Sequence, residues 1–443
     1  DAASDAPLIA EVPVGTHVVQ EIVNDRLGLT VWELGNGVRV LLRPTDFEDD
    51  QIMFRAFSPG GTSLVDDGDY IAASTASMIM SQSGVGDFNL INLQKKLAGK
   101  AVRVSPTISA FTEGMSGTAS PQDVETMFQL MHLYFTAPRR DSTAFQSFRT
   151  RMRGYFETRS ADPMTQFQDT ATVTLTQDHY RTRPITPEYF DEWDLETSYD
   201  FYRDRFADAS DFTFVFVGKF DMDSLRPLVE TYLGSLPDID REEQWRDIGI
   251  EPPAGVLRKQ VRAGLEPKSH TQITFTGEAE DTRANRHALD SMTEVLQIML
   301  RQRLREDLGG TYHANVGGGI NRAPDHGYSV SIRFGSAPDR VEELVGVVFE
   351  QIALLQTAGP SDTNYLKVQE IQRRAYETNM RENGFWMAHL VSAERWGTDP
   401  EAILRYEELV DGGTRETIRE AARSFLRSDN YVHISLFPEA VTP

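Results

Sequence analysis

The spacing of apolar and polar positions divides the chain into short strands and longer amphipathic helices. Residues 29–32 and 38–42 read as strands, and Asn36-Gly37 between them is a two-residue hairpin signal, because both residues tolerate positive φ. Residues 51–57 alternate and stop at Pro59-Gly60-Gly61, and residues 102–115 read as a strand pair. The run 212–217 is apolar without interruption, as in a strand covered on both faces. Further strands are expected at 256–261, 272–276 and 431–437. Helices are expected over 69–81, 89–97, 144–159, 165–175, 195–206 and 225–233, the last closed by Gly234. Another opens at Ser120-Pro121, turns Val124, Met127, Leu130 and Met131 inward, and ends before Pro138.

A long apolar stripe runs through Leu289, Met292, Leu296, Met299 and Leu304, one face of a helix packed on a core. Gly309-Gly310 ends it, since glycine takes the left-handed C-terminal conformation cheaply. Tyr312 to Val316 then reads as the start of a strand, which Gly317-Gly318-Gly319 is expected to end at a hairpin. Arg305 in the last helical turn and Tyr312 beyond the corner come near one edge of a sheet. A planar cation and a phenol placed there can hold a polar backbone or a developing oxyanion. The plainer alternative is that Arg305 complements the helix C-terminus and Tyr312 is an amphipathic rim residue. His313 beside Tyr312 is either a lining residue of the same cleft or an ordinary strand residue. The glycine-rich edge also offers a place for an extended peptide to add as a strand.

Residues 1–24 carry few apolar positions and read as a tail or linker, without the basic and apolar regions of a signal peptide. Residues 236–255 are acidic, proline-bearing and aperiodic, which places a boundary between domains at 25–245 and 246–443. The two halves repeat one another. LQKKLAGKAVRV at 93–104 matches LREDLGGTYHAN at 304–315, Val124 and Met127 answer Val341 and Leu344, and 212–217 answers 431–436. The expected fold class is α+β, two similar domains that each pack helices against a mostly antiparallel sheet. In this alignment Gln94 stands opposite Arg305 and Ala101 opposite Tyr312, so the Arg/Tyr pair belongs to the second copy alone.

Composition narrows the chemistry. A net charge of −23 over 443 residues argues against nucleic acid, whose phosphates need clustered Lys and Arg. With no cysteine, disulfides, thiolate zinc sites and thiol catalysis are excluded. No apolar run of about 18 residues predicts a membrane-spanning helix. None of the nine histidines forms an i, i+4 pair, so no local helical metal site is predicted; His179 and His326 read as loop residues. No base–nucleophile spacing points to an independent catalytic site.

Several longer stretches carry a resemblance. LGNGVRVLLRPTDF at 34–47, SPGGTSL at 58–64, LAGKAVRVSPTI at 97–108, DFTFVFVGKFDMDSLRPLVETYLGSLP at 211–237 and LREDLGGTY at 304–312, in that order, resemble the pitrilysin (inverzincin) family of zinc peptidases. The likeness is to the non-catalytic C-terminal half of its long bacterial members. It implies the fold shared with processing peptidases and LuxS-type metallohydrolases, two domain pairs closing around a chamber. In such proteins the first pair supplies an H-x-x-E-H helix, in which two histidines and a downstream glutamate hold zinc and the motif glutamate activates water. The resemblance gives Arg305 and Tyr312 the role of binding the scissile carbonyl across the chamber. Here the motif is missing: the corresponding helix reads AASTASMIM, with Ala73, Ala76 and Ser77 where the two histidines and the glutamate would be. Glu157, near the third ligand's place, reads as a solvated helix residue.

The expectation is therefore a non-catalytic half with no metal site and no cofactor of its own. Its partners would be peptide substrates and an H-x-x-E-H-bearing half, in the same polypeptide or another subunit, that brings zinc and base. The alternative is a degenerate subunit that only binds peptides or scaffolds an assembly. Bacterial relatives imply a periplasmic setting, with the cytoplasm still open.

Overall fold

The structure, a computed structural model, describes residues 6–439 other than 308 and 310–312, and the backbone but not the side chains of 305–307. Two sheets carry the fold. The first contains β1 (Val18–Asn24), β2 (Leu29–Leu34), β3 (Arg39–Pro44), β4 (Ile52–Pro59), β5 (Val102–Ile108), β6 (Thr112–Ala119) and β7 (Thr213–Gly218), ordered β1-β2-β3-β7-β4-β6-β5. The second contains β8 (Val256–Arg262), β9 (Ser269–Glu278), β10 (Ala314–Ile320), β11 (Gly327–Ser336) and β12 (Tyr431–Phe437), ordered β10-β11-β9-β12-β8. Only β3 with β7 and β8 with β12 run parallel; every other pair is antiparallel. The order β5-β6-β4-β7-β3 reappears as β10-β11-β9-β12-β8, so the repeat seen in the sequence is a repeat of topology.

Most elements lie where the hydrophobic pattern put them. The Asn36-Gly37 hairpin joins β2 to β3, with Gly37 at φ +83. The helix announced by Ser120-Pro121 runs over Val124–Thr136, and its repeat partner over Val341–Ala358. Two expectations are corrected. Val18–Asn24, inside the stretch that read as a tail, pairs with β2 as an edge strand; its positions are almost all exposed, which is why no apolar face announced it. Gly317–Gly319 lie within β10 rather than ending it.

The chain divides into two compact units that do not follow its halves. One holds Asp1–Gly154, Pro187–Arg246 and Thr378–Ile403; the other holds Tyr155–Thr186, Asp247–Glu377 and Leu404–Pro443. Within the first unit, helix Asn383–Trp396 packs on β7 and β4. The Arg43 guanidinium lies 3.7 Å from the Trp386 ring centroid, and Trp386 donates its indole N–H to Met380 O at 2.9 Å. Within the second, helix Pro163–Leu175 packs on β12 and β8, burying Phe167 and Ala171 against Val432, Ile434 and Leu436. The opposite face of that sheet meets the main core, built on helices Arg283–Leu300, Val341–Ala358 and Arg415–Phe425. Strands β7 and β12 are thus covered on both sides, and their residues are buried almost throughout.

The SPGGTSL stretch forms a tight corner after β4. A Cβ on Gly61, at φ +61, would sit 2.3 Å from Ser109 O, so only glycine fits. The Gly61 N–H donates to buried Glu113 at 2.6 Å. Burial pushes the Glu113 carboxyl up to about 8, against the pull of Arg205, whose Nη1 is 3.7 Å away. Arg205 is nearer to Glu243, at 2.8 Å, and also pairs with Asp204, so it neutralises Glu113 only in part.

Two outcomes test this packing. Trp386→Ala removes a side chain that is 1% exposed, and should cost about 3–5 kcal/mol in urea unfolding. Glu113 keeps its proton in the folded state after the unfolded chain, near 4.5, has lost it. It therefore contributes stability below about pH 4.5 that disappears as pH rises toward 8. Glu113→Gln should flatten the fall in stability across that window, and an unchanged pH slope would show that Glu113 is ionised in the fold.

Candidate functional site

Helix Arg283–Leu300 continues without a break into a π-helical turn, Arg301–Asp307. Such turns are rare and recur at functional sites. The step of five from Met299 to Leu304 in the apolar stripe is the repeat of a π turn, and Leu304 is fully buried. Arg305 belongs to this turn, but its side chain, like all of Tyr312, lies outside the described residues. Gly309 has φ +57, the left-handed conformation expected of a residue that ends a helix. Just beyond Tyr312 and His313, β10 begins.

Among the described residues β10 is an edge strand, paired with β11 alone. It borders a polar face of the second sheet, the same face that helix Pro163–Leu175 covers over β12 and β8. There Thr274 and Ser331 hydroxyls meet at 2.9 Å, Gln272 donates to Thr274 at 3.0 Å, and Arg333 Nε donates to Gln272 Oε1 at 2.9 Å. Asn315, Gly317 and Gly319 extend that face to the open edge. Gly317 and Gly319 have nothing within 4 Å of where a Cβ would be, whereas a Cβ on Gly318 would lie 2.4 Å from Ser329 O. Two of the three glycines are thus unexplained by packing, and bare extended backbone at an edge suits close approach by another chain.

His313 is exposed and flanks Gly335 together with His270: a Cβ there would sit 3.5 Å from His313 Cε1 and 3.7 Å from His270 Nδ1. Burial, then the nearness of His313 and Lys268, lowers the His270 pKa. His179 caps a short helical turn, accepting from Arg181 N at 3.2 Å, and exposed His326 directly precedes β11; both are loop residues.

Helix Tyr70–Ser83 stands where the resemblance would place the zinc ligands. Ala73 and Ala76 are fully buried and, with Ser77, bring no imidazole or carboxylate, so these residues do not fit a catalytic zinc. Glu157 is exposed on its helix. Among the described residues no group of three or more His, Asp or Glu is placed to hold a metal ion.

A family profile described as the Peptidase M16 inactive domain matches residues 192–371. The "Zinc protease PQQL-like" protein of Arabidopsis thaliana is 26% identical over 408 residues, covering 87% of this chain and 39% of that protein. The "Probable zinc protease PqqL" of Haemophilus influenzae is 24% identical, over 94% of this chain and 44% of its own length. The crystal structure of the periplasmic protease PqqL from Escherichia coli superposes with a TM-score of 0.84 at 21% identity, covering 98% of this chain and 48% of that one. Residues 192–371 thus match the M16 inactive domain, and the chain as a whole is similar to the non-catalytic half of pitrilysin-type (M16) zinc proteases, spanning less than half the length of these relatives.

Gln297 is the residue of this region that the sequence pattern missed. From helix Arg283–Leu300 its side chain donates to Ala314 O at 2.6 Å and accepts from Val316 N at 2.6 Å, along the outer side of β10. Its only sequence signal was a polar residue beside the apolar stripe. The glycines give a direct test of the edge. Gly317→Ala and Gly319→Ala should be neutral or add about 0.4–1 kcal/mol, while Gly318→Ala should cost about 1–3 kcal/mol by overpacking. Equal losses at all three in thermal unfolding would mean that packing alone requires them.

Proposed function

We propose that this chain is the peptide-binding wall of a pitrilysin-type zinc peptidase. A substrate segment adds to β10 as an extended strand, and Arg305 and Tyr312 stabilise the scissile carbonyl. Zinc and the general base come from an H-x-x-E-H-bearing half, and the setting is the periplasm, as for the Escherichia coli relative. His313 and His270 line the cleft beside the strand's start. The observation that supports this reading is that the π turn Arg301–Asp307, to which Arg305 belongs, is followed in the sequence by an open, glycine-rich edge strand that starts at Ala314. A peptide paired along β10 toward Ala314 would lead its backbone to the Arg305–Tyr312 stretch. The fixed cation and phenol would then meet negative charge as it develops on the carbonyl oxygen.

Mixing the chain with the H-x-x-E-H-bearing half from the same source should give zinc-dependent cleavage that neither part gives alone. In that mixture Arg305→Ala and Tyr312→Phe should each lower kcat by about 10²–10³-fold, the usual effect of removing one oxyanion donor. Wild-type turnover in both variants would leave the chain as a peptide-binding or assembly scaffold.

A further inference from the structure

We infer that Gln297, with Arg286 at the far end, sets the register in which a peptide strand adds to β10. This rests on the strand-addition reading above. In a strand, the N–H and C=O of one residue point to the same side, and successive residues alternate. Ala314 O and Val316 N bond to Gln297, and Ile320 O accepts from Arg286 Nη1 at 3.2 Å, so the even-numbered residues of β10 point away from β11. Asn321 N donates to Gly327 O on the other side, which fits the same alternation.

A glutamine side chain carries the same donor and acceptor as a peptide group. By bonding the C=O of residue 314 and the N–H of residue 316, Gln297 takes one bond from each of the two residues that an antiparallel strand would set opposite Ala314 and Val316. Arg286 closes the opposite end. Its guanidinium is held by Asp281, which also takes Arg322 Nε at 2.9 Å. Between these two plugs lie the C=O of Val316, both groups of Gly318 and the N–H of Ile320, without a hydrogen-bond partner among the described residues.

An antiparallel peptide fits this window in one register. One residue exchanges both bonds with Gly318, and its neighbours two positions away take Val316 C=O and Ile320 N–H, a span of about five residues. Pairing further toward Tyr312 requires Gln297 to swing out. Gln297 is therefore a positioning residue that decides how far substrate backbone advances toward Arg305 and Tyr312. A purely structural role, protecting an exposed edge, makes the same two bonds but predicts no effect on a bound peptide.

The test is residue-resolved amide exchange on the chain with an excess of an unstructured peptide of alternating threonine and valine. Copies of the peptide N-methylated at one residue in turn report which of its amides are used. In the wild type, the peptide should slow exchange at Gly318 and Ile320 by at least tenfold, and leave Val316, already bonded to Gln297, unchanged. In Gln297→Ala, Val316 should exchange freely without peptide and become protected with it, and one further N-methyl position two residues along the peptide should now block binding. Gln297→Glu keeps the acceptor for Val316 N–H but loses the donor to Ala314 O, so it should hold the wild-type footprint at Val316. That variant serves if the alanine protein unfolds. An identical footprint and N-methyl pattern in wild type and Gln297→Ala would overturn the inference. Absence of protection at Gly318 and Ile320 in every protein would instead overturn strand addition itself.

Discussion

A sheet whose central strand is apolar on both sides needs cover on both faces, and that demand shapes each unit of this fold. The first sheet could not leave β7 open, because all its residues are buried. Its second cover comes from helix Asn383–Trp396, far along the chain, anchored by the stacking of Arg43 on Trp386 and by the Thr45 hydroxyl, 2.6 Å from Asn383 Oδ1. The second sheet meets the same demand through helix Pro163–Leu175. Each repeat thus lends a helix to the sheet of the other. Such a cover forms only when distant segments meet, so the entropy of closing long loops falls on these contacts, and their apolar area must repay it.

The same cover stops short of the β10 edge. Over β12 the face is apolar under its helix; over β9, β11 and β10 it becomes threonine, serine, glutamine, arginine and finally bare glycine. An edge strand normally hides its unpaired groups behind charge, proline or a bulge. This one satisfies its ends with Gln297 and Arg286 and leaves Gly318 between them. A partial block of this kind admits a short partner while discouraging a long one, which is a different compromise from closing the edge altogether.

Much of this was legible in the sequence because hydrophobic periodicity records which face of an element is buried. The strand pair at 102–115, the buried strand at 212–217 and the strand at 431–437 follow from it, whereas the repeat came from matched segments and the missing zinc motif from the family resemblance. What escaped has physical reasons. β1 has no buried face, so it left no alternation to read. Gly317–Gly319 carry the turn signal of glycine, yet their role depends on which side of a sheet is unpaired, a fact of tertiary structure. The exchanged helices looked like any amphipathic segment, since periodicity tells that a face is buried but not against what. Gln297 escaped for the same reason: its amide matters only because β10 passes beside it. The Arg305–Tyr312 stretch was found by motif and by comparison of the two repeats, and its surroundings, the π turn and the open edge, are what give that motif a structural setting.

The two repeats share one strand order but differ in what they do with it. In the first, the helix that would hold zinc keeps its place but presents Ala73 and Ala76 with no exposed surface at all. Histidine and glutamate at those positions would each add several atoms to a packed interior, at the cost typical of overpacking. Restoring the motif residue by residue would therefore not restore a site; the helix has become part of a core. In the second repeat the corresponding helix, Arg283–Leu300, runs on into a π turn, and the edge strand after it leaves the backbone of Gly318 bare between Gln297 and Arg286.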